Sequence, residues 1–344
     1  MRGWVIPKIK RDLGLLPILL ILLSSPVGAA EAPLWGFTLD GYPITEARLA
    51  GLESDTGLPP QIVVFFLQWP APGERGPFPG ESLEAIWSQG AVPCLTWEPM
   101  YYQNGQEIMI TAEEILGGKY DSYLKDYARQ ARQWERPFLI RFAHEMNLDR
   151  YHWGTDRKRY NPESPQIYRR MFRYIVERFR LEGATNVLWI FCPNAESVPY
   201  GSHHSATAWN RPEAYYPGGD IVDILGMDGY NWGKTKMKDK DGWESRWQSF
   251  REIFEPLYRN LKRLAPEKPI LIFETASVTT GGDRTAWLRE ALAVVGEWEL
   301  SGVCWFQADK EADWRLDIRR DAQSVGNVRR ATSAAQAWIR RWGK

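Results

Sequence analysis

Cysteine and net charge are scarce in this sequence of 344 residues. The three cysteines, Cys94, Cys192 and Cys304, fall inside predicted strands, where cysteine behaves as a small apolar residue, so we predict no disulfide framework. Lys and Arg number 43, as do Asp and Glu, which gives a formal net charge of zero. Without an overall field, neither nucleic acid nor an anionic membrane is an expected partner.

Motifs for metals and nucleotides are also missing. The sequence contains no GxGxxG, no Walker motif and no Cys-x-x-Cys. Leu148 occupies the position where an HExxH zinc motif starting at His144 would need its second histidine. We therefore predict no metal and no cofactor, and we interpret the pair His203-His204 as part of a solvated loop.

The uncharged stretch at residues 13–30 is short for a bilayer span, which needs about 20 apolar residues. It follows four basic residues, carries two prolines and ends in small residues. This pattern predicts a signal peptide at residues 1–29, cleaved after Ala29 or Ala30, and a secreted protein, extracellular or periplasmic, with one domain at residues 30–344. An uncleaved anchor is the alternative.

Aromatic residues are abundant: the chain has 18 Trp, 15 Tyr and 13 Phe. Packing of a core seldom needs so many indoles. A sugar-binding cleft uses them, because flat aromatic faces pack on the C–H faces of pyranose rings while the indole N–H donates a hydrogen bond. The composition therefore favours a carbohydrate cleft over the alternative of a large core alone.

Eight apolar runs alternate with helical segments along the chain. The runs lie at residues 35–39, 62–67, 91–96, 138–143, 187–192, 221–227, 270–273 and 302–306. The helices are predicted from Ser82 to before Gly90, from Asp121 to Trp134, from Ser164 to before Gly183, around 244–264, around 284–295 and from about Asp321 to Trp342. Continuous apolar runs are typical of parallel strands buried on both faces. The pattern predicts a single-domain α/β fold, a (β/α)8 TIM barrel; a doubly wound sheet, its main competitor, has no nucleotide motif to support it.

Two glutamates, Glu145 and Glu274, stand where the fourth and seventh runs stop. Carboxylates at the carboxyl ends of barrel strands face the active side of the fold, and two of them suit the cleavage of a glycosidic bond. Helix-cap neighbours or salt-bridge partners are the less specific interpretation. If the fourth strand keeps its pleat, Arg141, Ala143 and Glu145 share one face, and Arg141 keeps Glu274 ionised while Glu145 stays protonated.

Other polar and aromatic residues cluster after the same strand ends. Loop residues of this kind include Glu196, Asp228, Asn231, Trp232, Gln307, Asp309 and Lys310. The predicted substrate-binding residues are Trp97, Glu98, Arg141, His144, Asn147, Trp153, Asn194, Tyr230 and Trp305. The alternative for the tryptophans is plain core packing, and for His144 it is a hydrogen-bonded core imidazole.

Several blocks of the sequence resemble glycoside hydrolase family 26. They are RFAHEMN at 141–147 with Trp153-Gly154, YPG at 216–218, VDILGMDGYN at 222–231, KPI at 268–270 before Glu274, Trp305-Phe306, and DWR at 313–315. The resemblance covers most of the mature chain and implies a β-mannanase or β-glucanase barrel that retains anomeric configuration. It implies Glu145 as general acid/base and Glu274 as nucleophile.

The same resemblance assigns expected roles to other residues. His144 and Asn147 would line the subsite of the reacting sugar, Tyr230 would hydrogen-bond the nucleophile, and Trp305 would be the platform under that sugar. The sequence departs from the family pattern after the third strand, where family mannanases often have Trp-His and this chain has Trp97-Glu98. That departure argues against mannan as the substrate and gives weight to a β-glucan or another β-linked polysaccharide.

We expect a monomeric endo-acting enzyme whose partner is a polysaccharide or oligosaccharide. A retaining mechanism needs the two carboxyl groups about 5 to 5.5 Å apart, and about 6.5 to 9.5 Å would indicate inversion. Two other classes stay open at this point: a carbohydrate-binding protein that has lost catalysis on the same barrel, and a cell-surface scaffold for polysaccharide assembly.

Overall fold

The computed structural model describes residues 32–148, 150–151, 153, 161–197, 209–329 and 335–342. The predicted signal peptide, the pair His203-His204 and Gly154 of the family-like block lie outside the described residues. Ala32–Lys344 forms one compact unit. No helix within the described residues is long and apolar enough to cross a membrane.

Eight parallel strands close into a barrel. They are β1 (Leu34–Leu39), β2 (Ile62–Gln68), β3 (Val92–Glu98), β6 (Phe138–Phe142), β7 (Val187–Phe191), β8 (Ile224–Asn231), β9 (Ile270–Ser277) and β10 (Gly302–Phe306). Each pairs with its neighbours along the chain, and β1 pairs with β10 to complete the ring. The predicted (β/α)8 barrel is confirmed.

A two-stranded antiparallel hairpin, which the sequence analysis missed, follows β3. It consists of β4 (Met100–Gln103) and β5 (Gln106–Met109). Asn104 and Gly105 connect the two strands with φ values of 52° and 76°. Asn-Gly is the dipeptide that most readily adopts this left-handed pair of conformations in a hairpin turn.

Helices surround the barrel. They are α1 (Glu46–Thr56), α2 (Gly80–Ser88), α3 (Ala112–Leu116), α4 (Asp121–Trp134), α5 (Ser164–Leu181), α6 (Lys238–Asp241), α7 (Phe250–Leu264), α8 (Arg284–Glu297), α9 (Ile318–Arg329) and α10 (Ala335–Trp342). The sequence analysis missed α1, α3 and α6. In α7, the Ser249 hydroxyl accepts from the Glu252 N–H while the Glu252 carboxylate accepts from the Ser249 N–H, which fixes the start of the helix.

The core has two layers, because successive side chains of a strand point to opposite faces. One layer fills the barrel and contains Val64, Leu139 and Phe273 together with the three free cysteines. The larger layer lies between strands and helices. Charged side chains replace apolar ones toward the carboxyl ends of the strands, where Arg141 is completely buried.

Candidate active site

A cavity of about 680 Å³ opens at the carboxyl ends of the barrel strands. Glu145 and Glu274, which are far apart in the sequence, both line it. The other residues of its wall include Tyr42, Gln68, Glu98, Tyr102, Glu107, Arg150, Tyr151, Asn194, Glu196, Tyr230, Trp232, Trp243, Phe306 and Trp314. The fold therefore places two buried carboxyl groups in one concave site rimmed by aromatic rings.

Glu145 reaches the cavity through an irregular turn. The regular strand stops at Phe142, and Ala143 and Glu145 both adopt left-handed conformations, with φ of 46° and 51°. The expectation that the pleat continues to position 145 is therefore wrong. The turn is held by the Glu145 N–H, which donates to the Cys192 carbonyl at 2.8 Å. Such strain in non-glycine residues is typical of functional sites.

The Glu145 carboxyl group is buried, with 7% of the residue exposed. Its Oε1 accepts a hydrogen bond from Asn194 Nδ2 at 2.6 Å. Burial and, secondarily, the nearby charge of Glu274 raise its pKa to about 8, which outweighs the opposite effect of Asn194. A carboxyl group with this pKa carries its proton at neutral pH.

Glu274 lies within β9 and has different contacts. Its Oε1 accepts from the Arg141 guanidinium, and its Oε2 accepts from the Tyr230 hydroxyl at 2.5 Å. His144 Nε2 lies 3.9 Å from the same Oε1. A guanidinium and a phenol that both donate to one carboxylate stabilise its ionised form and fix its orientation.

Arg141 is the centre of a buried polar cluster. Besides Glu274, its guanidinium donates to Asp228 Oδ2 at 2.6 Å and to Thr96 Oγ1 at 2.7 and 3.0 Å. Burial by itself lowers the pKa of Arg141, but Asp228 and Glu274 raise it well above its usual range. Arg141 is fully buried and is not among the residues that line the cavity, whereas the prediction made it a direct substrate contact.

The amino-acid sequence is similar to those of known proteins. The family model described as "Glycosyl hydrolase family 26" matches residues 111–262. Endoglucanase H of Acetivibrio thermocellus is 33% identical over 242 residues, which cover 70% of this chain. The chain belongs to glycoside hydrolase family 26. It spans 24% of Endoglucanase H, and 42% of a mannan endo-1,4-beta-mannosidase of Bacillus subtilis strain 168 to which it is 22% identical.

Solved structures share the fold. The mannanase BCman of Bacillus subtilis superposes with a TM-score of 0.61 over 88% of this chain and 86% of that structure, at 17% identity. The GH26 domain of a Prevotella bryantii endo-beta-mannanase/endo-beta-glucanase gives 0.58 over 87% and 89%, at 15% identity. At these identities the likeness concerns the barrel alone.

In this family 26 chain, three predicted substrate-binding residues lie behind the cavity wall. His144 is buried, and its pKa lies well below the usual range because of burial and, next, the charge of Arg141, so it is neutral. Trp153 Nε1 donates to the His144 carbonyl at 2.6 Å. Asn147 holds the next loop, donating to the Asn194 carbonyl at 2.9 Å. None of the three is among the residues that line the cavity.

The other two predicted tryptophan contacts, Trp97 and Trp305, do not line the cavity either. Both are completely buried in the layer between strands and helices. The alternation of the strand decides this: Glu98, which follows Trp97, and Phe306, which follows Trp305, line the cavity instead. Trp305 is therefore no platform for the sugar. Its indole N–H donates to the carbonyl of Trp314, whose ring does line the cavity.

Glu98, Asn194 and Tyr230 are the predicted binding residues that line the cavity. Gln68 Nε2 donates to Glu98 Oε2 at 2.5 Å, and burial raises the pKa of Glu98 to about 7. A carboxyl group that titrates near neutrality can donate or accept a hydrogen bond with a sugar hydroxyl. Within the described residues, no group of three or more His, Cys, Asp and Glu is placed to hold a metal ion.

The sequence analysis missed one wall of the cavity. Tyr102 and Glu107 come from the hairpin, and Arg150 binds both Glu107 oxygens at 2.7 Å from the loop after β6. Arg150 also lies over the ring of Tyr151, 4.8 Å from its centre. The Asn104-Gly105 dipeptide was the available signal, because it predicts a hairpin at this place.

Proposed function

We propose that this chain is a retaining endo-β-glycosidase that hydrolyses a β-linked glucan or mannan, with Glu145 as general acid/base and Glu274 as nucleophile. The observation that carries the proposal is the contrast between the two carboxyl groups. Burial raises the pKa of Glu145 to about 8, whereas Glu274 accepts from Arg141 and Tyr230. A carboxyl group that keeps its proton and a second one held by a cation and a phenol suit an acid and a nucleophile.

The reaction follows double displacement. Glu145 donates its proton to the glycosidic oxygen while Glu274 attacks the anomeric carbon, so the leaving chain departs with a hydroxyl and the sugar stays bonded to Glu274. Glu145, now ionised, takes a proton from a water molecule, and the oxygen of that water attacks the same anomeric carbon. Glu274 leaves as a carboxylate, and the product keeps its configuration. Donation from Tyr230 and Arg141 favours that departure.

The substrate class is proposed from the relatives and from Glu98. The names of the two relatives, Endoglucanase H and mannan endo-1,4-beta-mannosidase, indicate two polymer backbones, glucan and mannan. Glu98 and its partner Gln68 place hydrogen-bonding groups in the cavity beside Glu145 and Glu274. Aromatic rings on several rims, including Tyr102 and Trp232, suit an open cleft with several subsites and so endo action.

Release of reducing ends tests the proposal. Wild type is incubated with mannan, mixed-linkage glucan, 1,3-xylan and bacterial exopolysaccharides, and the anomer formed first is identified by proton NMR. We expect release from glucan or mannan as the β-anomer, and at least a hundredfold loss in Glu145→Gln, as is usual when a general acid is removed. Release of the α-anomer, or no release from any polymer, would contradict it.

We also propose that residues 1–29 direct export and are removed near Ala29 or Ala30. The support is the order of basic, apolar and small residues in this segment. N-terminal sequencing of the protein recovered outside the cytoplasm tests this. A mature protein that still begins at Met1 would indicate a retained anchor and overturn the proposal.

A further inference from the structure

A second groove lies on the side of the barrel, between the loop at residues 70–78 and helix α4. Its volume is about 710 Å³, similar to that of the catalytic cavity, and the two have no lining residue in common. They are close neighbours, because Gln68 lines the cavity and Pro70, two residues later, lines the groove. A chain held in one would therefore pass near the other.

Buried polar groups without partners lie at the floor of this groove. Tyr120 and Tyr127 line it and are 3% and 1% exposed. Neither hydroxyl has a hydrogen-bond partner among the described residues. Since buried polar atoms are nearly always hydrogen-bonded, these groups point to an occupant that offers hydroxyl groups.

The outer wall of the groove carries a row of short polar side chains. Ser122, Asp126, Gln130 and Gln133 line it from α4 at spacings of three and four residues, which places them on one face of the helix. The eleven helical rises from Ser122 to Gln133 extend over about 16 Å. A row of hydroxyl, carboxylate and amide groups along that length suits a short stretch of a linear chain of sugars.

The charges of the groove favour a neutral ligand. Lys119 and Arg129 each form an ion pair with a glutamate that does not line the groove. The remaining charged residues of the lining are Glu74, Arg75 and Asp126, two acids and one base. A groove with so small a net charge attracts neither a polyanion nor a polycation strongly.

We propose that this groove is a second carbohydrate-binding site, which holds a neutral β-linked polysaccharide beside the catalytic cavity without cleaving it. The inference rests on the proposed function, because the ligand is the same class of polymer. The half-buried rings of Phe78 and Tyr123 supply apolar faces on which pyranose rings pack, and the hydroxyls of Tyr120 and Tyr127 and the helix side chains supply hydrogen bonds.

Affinity electrophoresis tests the proposal. The full chain carries Glu145→Gln, so that the polymer in the gel is not digested, and is run in gels containing soluble mixed-linkage glucan or glucomannan. The groove variant adds Gln130→Ala and Gln133→Ala, and the matched control adds Lys125→Ala, an exposed residue of the same helix that does not line the groove. Alanine keeps the helix, and circular dichroism checks the fold.

We expect the groove variant to bind the polymer roughly tenfold more weakly than the control, because two hydrogen-bonding amides are lost. Equal retardation of the groove variant and the control would mean that the cavity alone binds, and would overturn the proposal. So would absence of retardation in the parent. Sugar release by wild type is measured separately, so failure of the proposed hydrolysis is distinguished from failure of the second site.

Discussion

At the scale of single residues, Glu145 and Glu274 share a cavity but differ in their hydrogen-bond donors. Glu145 faces one neutral amide, from Asn194, whereas Glu274 faces a cation and a phenol. The two carboxyl groups therefore meet different electrostatic environments within one cavity. The contrast arises from the position of Arg141, which lies below Glu274 and donates to it directly.

The pH dependence of the reaction tests whether Glu145 must carry its proton. We expect kcat/KM to fall as pH rises above about 8, because the pKa of Glu145 is raised to that value and the ionised group cannot donate a proton. Asn194 donates to the ionised form and lowers this pKa, so Asn194→Ala should move the alkaline limb to higher pH. Measured pH profiles with an alkaline limb that does not move in Asn194→Ala would contradict the assignment.

Removing the guanidinium at position 141 should damage the fold as well as the reaction. Arg141→Met leaves Asp228 and Glu274 buried without their cation, and breaking such a pair costs about 3 to 5 kcal/mol. Urea unfolding measures the loss. The matched control is Arg173→Met, whose exposed ion pair with Asp220 is worth about 0 to 1 kcal/mol. Equal losses in the two variants would argue against the central role of Arg141.

At the scale of elements, the pleat of a strand decides which side chain enters the cavity. All eight barrel strands were predictable, since their apolar runs are continuous and bounded by helices. The inward face was harder to predict, because strands buried on both sides carry no polar alternation to mark it. Trp97 and Trp305 therefore looked like binding residues, although Glu98 and Phe306 occupy that face.

The site was only partly predictable for a related reason. Glu145, Glu274 and Tyr230 follow apolar runs of the sequence and could be found from it, whereas Tyr102 and Arg150 reach the cavity from a hairpin and a loop. No periodicity encodes the path of such segments. The turn at Ala143 was equally hidden, because neither alanine nor glutamate signals a left-handed conformation.

The position of Trp97 leads to a prediction about stability and activity. Trp97→Phe removes the hydrogen bond from the indole to the Tyr123 hydroxyl, 3.1 Å long, and leaves a space against Trp69 and Tyr127. We expect the free energy of unfolding to fall by about 1 to 3 kcal/mol. Because the ring does not line the cavity, kcat and KM should stay within about twofold of wild type, as a core substitution allows. A large rise in KM at unchanged stability would restore Trp97 as a substrate contact.

At the scale of the whole molecule, the closed barrel and the balanced charge act together. The ring of strands has no open edge and fixes the carboxyl ends of all eight strands around one mouth, so loops of unrelated sequence meet there. Equal numbers of acidic and basic residues leave the chain as a whole without a formal net charge. Binding must then depend on short-range contacts with the substrate.

The dependence of kcat/KM on salt concentration shows whether long-range electrostatic attraction brings the substrate to the site. A neutral polysaccharide and a protein of zero formal charge should give a kcat/KM that changes by less than about twofold between 50 and 500 mM NaCl, because screening has little long-range attraction to remove. Initial rates on mixed-linkage glucan measure this, with circular dichroism to show that the fold is unchanged. A steep fall of kcat/KM with salt would instead indicate that long-range attraction to a charged substrate contributes to binding.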